Sequence, residues 1–68
     1  MTNERKEQIL QANISALEDE LYPAEVKARV AKKVSGEEDP VYKQALEQME
    51  RIEKFIDGYK EELEALKK

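Results

Sequence analysis

The sequence predicts an all-α domain, either a three-helix bundle or a helical hairpin with a Pro-broken first arm and one long C-terminal helix. Apolar residues recur at alternating intervals of three and four, the period of an α-helix. Pro23, Gly36 and Pro40 divide the chain where helices start or stop. Charged residues make up 41% of the 68 residues, but the regular apolar rows favour folded helices over a disordered polyelectrolyte. We expect a single domain over residues 1–68.

The first predicted helix covers about residues 4–21. Thr2 or Asn3 can cap its N-terminus, and Glu4 and Glu7 suit the positive end of the helix dipole. Its apolar row is narrow, about 60° wide on a helical wheel, and such a seam faces a single neighbouring helix. The row consists of Leu10, Ile14, Leu17 and Leu21.

A second helix is predicted over residues 23–34. Tyr22-Pro23 interrupts the pattern, because proline cannot donate a hydrogen bond to the preceding turn but fits the first position of a new helix. Gly36 is expected to close this helix in a left-handed conformation. The main alternative is one kinked helix that continues through Pro23. The apolar residues of the second helix are alanines together with Val26, Val30 and Val34.

The third predicted helix, residues 40–66, is the strongest signal in the sequence. Asp39 followed by a proline is typical of a capping residue and the first residue of a helix. Nearly four heptads of apolar residues follow without a break. Val41, Leu46 and Phe55 widen this stripe to about 180°, which needs more than one neighbouring helix to cover it. The stripe itself consists of Tyr42, Ala45, Met49, Ile52, Ile56, Tyr59, Leu63 and Leu66.

The stripe on the third helix is the leading candidate for a partner interface. A chain of this size buries only about 60% of its unfolded surface, and without Cys or His it has no disulfide and no usual zinc site to stabilise it. Either the other two helices cover the stripe, or a second copy does, which would make the protein a self-associating interaction module and a homo-oligomer. The predicted interface residues are Tyr42, Met49, Ile52, Phe55, Ile56, Tyr59, Leu63 and Leu66.

An acidic surface offers a second hypothesis. The formal net charge is −4, and acidic residues are dense in the loop Glu37-Glu38-Asp39 and on the outer face of the third helix. Such a surface could dock on a basic groove of a larger target protein, as small inhibitors do by charge complementarity. In composition the chain resembles short, acidic, all-helical accessory proteins of bacteria and their phages, a resemblance that carries no site residue over.

A basic face offers a third and weaker hypothesis. Arg29, Lys32 and Lys33 share the face of the second predicted helix opposite its valines. Basic faces bind nucleic-acid phosphates. Three cations on an acidic protein, without interleaved aromatic residues, make a weak footprint, so nucleic acid is not the expected partner.

The residue types argue against an enzyme. Ser15 and Ser35 have no histidine base, and two glycines cannot build a phosphate-binding loop. The carboxylates of the third helix alternate with Arg and Lys, and lack the histidine that helix-held metal sites use. We therefore expect no catalytic residue, metal or cofactor, and Gly58 is interpreted as a tolerated surface glycine. No stretch approaches the roughly 20 apolar residues of a membrane span, so a cytoplasmic protein is expected.

Overall fold

The protein is a hairpin of two long helices in a computed structural model that describes residues 2–67. Helix α1 spans Asn3–Ser35 and helix α2 spans Pro40–Leu66. The whole hairpin measures 50 × 16 × 12 Å, so it is as long as a single long helix. The two helices therefore lie side by side, and the short loop between them makes them antiparallel. The radius of gyration is 15.6 Å, whereas a globular domain of this length has about 11 Å. The all-α prediction is confirmed.

The predicted helix boundary at Tyr22-Pro23 is wrong, and with it the three-helix bundle. α1 continues through Pro23, so residues 4–21 and 23–34 form one helix. Proline removes one backbone hydrogen bond, but the inward row of α1 does not stop there. Ala24, Ala28 and Ala31 are buried and extend the 3-4 spacing of the preceding leucines without a fault. Packing against α2 therefore continues on both sides of the proline and stabilises α1 as one continuous helix.

Both ends of α1 are capped. The backbone N–H of Arg5 donates to Thr2 Oγ1 at 3.1 Å, so Thr2 rather than Asn3 is the N-cap. At the other end the Gly36 N–H donates to the Lys32 carbonyl at 2.9 Å. Gly36 has φ 87° and ψ −179°, a region that only glycine adopts readily. The expected positive φ is present.

α2 begins and ends where the sequence predicts. The Asp39 side chain accepts a hydrogen bond from the Val41 backbone N–H, and Pro40 occupies the first helical position. Exposed ion pairs flank the loop: Lys32 with Glu37 at 3.2 Å and Lys43 with Glu38 at 3.6 Å. Exposed pairs of this kind add little stability, so the cap and the glycine turn define the connection.

The core is a single seam between the helices. Ile14 on α1 and Ile52 and Ile56 on α2 are buried at its centre. Nearer the loop the seam is made of small residues, the buried alanines of α1 and Ala45 of α2. Small side chains let two helices approach closely. Partly buried residues that complete the central cluster are Leu17, Leu21, Tyr59 and Leu63.

Candidate interaction surface

The stripe predicted as a partner interface lies mainly between the two helices of the same chain. Ile52 and Ile56 are buried, and Phe55 is the exception, with 56% of its surface exposed. α1 therefore covers the main row of the stripe. Of the two alternatives that the sequence leaves open, coverage by the same chain or by a second copy, the main row follows the first. The half-buried members of the predicted interface are Tyr42, Met49, Tyr59, Leu63 and Leu66.

A single neighbouring helix does not cover an apolar face as wide as that of α2. Val41 and Leu46 each expose 42% of their surface, in addition to Phe55. α1 also carries exposed apolar residues outside the seam, among them Val30 at 54% and Val34 at 77%. The contact between the two helices thus buries the residues of the seam but leaves apolar side chains beside the seam exposed.

An open apolar groove of about 630 Å³ lies at the loop end of the hairpin. Residues of α1 form most of it, Val26, Val30 and Val34 among them, and Val41 closes it from α2. Lys27, which the helical wheel places inside an apolar arc, lines this groove while its side chain stays exposed, as expected for a long cationic side chain over apolar surface. The apolar residues that line it are Tyr22, Pro23, Val26, Val30, Ala31, Val34 and Val41.

Phe55 lines several further shallow grooves at mid-length. One runs across to α1, and Leu17 and Glu20 of α1 line it together with Gln48 of α2. Another continues along α2 past Gly58 and Glu62. A half-exposed phenyl ring between grooves is a typical anchor at protein–protein interfaces.

The loop-end groove and Phe55 lie on the same broad side of the hairpin, which we call the apolar side. Lys27 and Val34 line a groove with Val41, and Glu20 lines a groove with Phe55. These residues belong to two rows with a seven-residue interval, one on each helix, so each row keeps to one edge of the seam. The rows are Asn13, Glu20, Lys27 and Val34 on α1, and Val41, Gln48, Phe55 and Glu62 on α2.

Charge distinguishes the two broad sides. The rows at the other edge of the seam define the charged side, where Leu46 is the one apolar member. The rows of the apolar side, by contrast, have Val34, Val41 and Phe55 exposed. Charged residues are fewer in the rows of the apolar side, as in interface cores, although Arg51 and Lys54 line grooves beside Phe55. The rows of the charged side are Gln11, Glu18, Glu25 and Lys32 on α1, and Leu46, Glu53, Lys60 and Lys67 on α2.

The structure also places the predicted basic and acidic residues. Arg29, Lys32 and Lys33 are exposed near the C-terminus of α1, where cations suit the helix dipole. Lys32 is engaged by Glu37, which leaves a smaller cationic face than the sequence suggests. Among residues 2–67 no cluster of acidic side chains is arranged to hold a metal ion.

Sequence reasoning finds Phe55 but not the loop-end groove. The sequence pattern favours the valines of α1 as the inward face of a separate helix, whereas in the structure the alanines are buried and Val30 and Val34 are exposed. A signal for this arrangement exists, because Ala24, Ala28 and Ala31 continue the spacing of Leu17 and Leu21. Alanines add little to a hydropathy pattern, so the row is easily overlooked.

No family model, curated protein or solved structure matches the chain. Neither α1 nor α2, over the residues that the structure describes, has a stretch long and apolar enough to cross a membrane.

Proposed function

We propose that the chain is a small non-enzymatic protein–protein interaction module that forms a homodimer through the apolar side of the hairpin. The observation that supports this most is the juxtaposition of Phe55 and the loop-end groove on one side of the hairpin, whose two edge rows hold three charged residues against six on the charged side. Relative to the hypothesis drawn from sequence, Phe55 remains in the interface. The rest of the stripe serves the seam within each chain.

The amount of exposed surface supports this proposal. The hairpin exposes 5393 Å², whereas a compact monomer of the same mass exposes about 4,400 Å². The difference is close to the roughly 800 Å² per partner that a stable interface of standard size buries. A broad side of 50 × 16 Å provides an area of that order. Two hairpins stacked on this side form a four-helix bundle, which gives Phe55 and the valines a core to pack in.

The rival hypotheses draw less support from the geometry. Docking of the acidic loop on a basic target would use Glu37 and Glu38, but each is already paired with a lysine of the same chain. Nucleic-acid binding would use the cationic face formed by Arg29, Lys32 and Lys33. Glu37 pairs with Lys32 and so neutralises part of the positive charge of that face. We therefore place self-association first.

Sedimentation equilibrium tests the proposal with a matched pair of variants. The wild type is expected at twice 7.9 kDa at tens of micromolar, with a melting temperature that rises with protein concentration. Phe55→Ser is expected to sediment as a helical monomer, because more than half of the ring is already exposed. Leu46→Ser, a similarly exposed apolar residue on the charged side, should still dimerise.

A wild-type mass of 7.9 kDa with a concentration-independent melt would refute self-association. Equal loss of dimer in Phe55→Ser and Leu46→Ser would show that the apolar side is not the interface. Circular dichroism of both variants checks that each hairpin remains helical.

A further inference from the structure

The apolar side carries two opposite charges on the same row of α1. Glu20 and Lys27 are separated by two helical turns, about 10.5 Å. Each lines a groove on that side, Glu20 beside Phe55 and Lys27 beside the valines. Within the described part of the chain, neither forms an ion pair. Covering this side would remove both from water, which is costly unless each meets an opposite charge.

We propose that two hairpins pack on their apolar sides with α1 antiparallel to α1 of the second copy, so that Glu20 of each chain pairs with Lys27 of the partner subunit. This inference rests on the proposed homodimer and specifies its geometry. A twofold axis relates the copies and passes between Pro23 and Ala24, the midpoint of Glu20 and Lys27. Such an interface is isologous, so one charge pair implies its symmetric mate.

The parallel arrangement does not pair both charges. Counted from the loop, Glu20 lies fifteen residues into α1 and Phe55 fifteen residues into α2, so the two stand at the same height. With both loops at one end, α1 of one copy would face α2 of the other. Glu20 would then face a phenyl ring and Lys27 would face Gln48. The antiparallel arrangement is the one that neutralises both charges.

The same axis also fixes the position of Phe55. It carries Phe55 from about 22 Å above the loop to about 12 Å in the other copy, the height of Gln48 and of Lys27, which lines the loop-end groove. Pro23 is exposed and lines the loop-end groove. It lies at the axis, so the centre of the contact between the two copies of α1 contains no charged residue. Arg51 of α2 lies at the same height, and the two copies of this residue approach each other as like charges.

Charge reversal tests the arrangement. Glu20→Lys alone and Lys27→Glu alone each place two like-charge pairs at the interface, and each is expected to weaken dimerisation about tenfold or more. An equimolar mixture of the two variants should form a heterodimer of near wild-type affinity, because both pairs are then restored, one with its original polarity and one with reversed polarity. Sedimentation and native mass spectrometry measure the dissociation constants and distinguish heterodimer from homodimer.

Two further variants sharpen the result. Glu18→Lys makes the same charge change on the charged side and should leave the dissociation constant within about threefold of wild type. Arg51→Gln removes the like-charge approach at the axis and is expected to tighten the dimer several-fold. A parallel dimer predicts the opposite sign, since Arg51 would then stand one turn from Glu20 of the partner subunit.

The outcomes separate the two proposals. A wild-type monomer overturns both. A wild-type dimer whose interface is disrupted by Phe55→Ser, but whose two charge variants fail to recover on mixing, keeps the homodimer and overturns the antiparallel arrangement. Recovery on mixing together with a tighter Arg51→Gln dimer establishes it.

Discussion

The Asp39 carboxylate accepts a hydrogen bond from the backbone N–H of Val41 at 2.8 Å. This contact does more than start α2. Asp39 and Val41 both line the loop-end groove, so the cap also fixes the valine that closes the groove from the side of α2. Helix initiation and the shape of the candidate interaction surface therefore depend on the same pair of residues.

Removal of the cap is expected to destabilise the hairpin. Asp39→Ala leaves an unsatisfied N–H at the start of α2 and should lower the free energy of unfolding by about 1 kcal/mol in urea titrations. Glu38→Ala is the matched control, because it removes an exposed carboxylate whose ion pair contributes little. A loss in Glu38→Ala equal to that in Asp39→Ala would contradict the capping role.

The two glycines should respond to alanine in opposite directions. Gly58 is exposed in mid-helix, and an added Cβ would meet no atom within 4 Å, so Gly58→Ala should raise the free energy of unfolding by about 1 kcal/mol. Gly36 also has free space around it, but its φ of 87° strains any residue with a Cβ. Gly36→Ala should therefore lower stability by about 1–2 kcal/mol.

Both glycine variants are best compared by thermal and urea unfolding at low concentration, where association does not contribute. A Gly36→Ala protein as stable as the wild type would mean that the turn is free to adopt another conformation.

The alanine seam should not tolerate larger side chains. Ala45 is 1% exposed, and the close approach of helices at small residues leaves no room for three more carbons. Ala45→Leu is expected to cost about 1–3 kcal/mol through overpacking. Ala12→Leu, an exposed alanine of α1, should change stability by less than about 0.5 kcal/mol. A stabilised Ala45→Leu protein would show that the seam holds unfilled space.

Substitution of Pro23 by alanine tests whether α1 is one continuous helix. A proline in the interior of a helix removes a hydrogen bond and crowds the preceding turn, at a cost of about 3 kcal/mol relative to alanine. Since Pro23 is exposed within an unbroken helix, Pro23→Ala should raise the free energy of unfolding by about 1–3 kcal/mol. A destabilised Pro23→Ala variant would indicate that the chain needs a break there, as the three-helix interpretation requires.

Local signals predict every feature of this fold that depends on few neighbouring residues. Asp39 followed by proline marks the start of α2, its heptads indicate its length, and Gly36 marks the turn. The continuation of α1 through Pro23 cannot be obtained in this way. It depends on packing of Ala24 and Ala28 against α2, a contact between residues distant in sequence that outweighs the local preference of proline.

The candidate site is predictable to the same degree. Phe55 stands beside the heptad row, so its exposure follows from the sequence once α1 is known to cover that row. The outward direction of Val30 and Val34 depends on the uninterrupted rotation of α1 across Pro23, and a helix restarted at residue 23 would not fix it. The loop-end groove is missed because the predicted boundary is wrong.

The composition of the seam also makes the hairpin uneven in local stability. Isoleucine and leucine side chains hold its centre, whereas alanines, which bury little apolar area, hold the end near the loop. Backbone amides near the loop should therefore exchange hydrogen through smaller opening free energies than those around Ile52. The loop-end groove lies in this weakly held region, so occupation of the groove by another chain would slow exchange most where the isolated hairpin opens most easily.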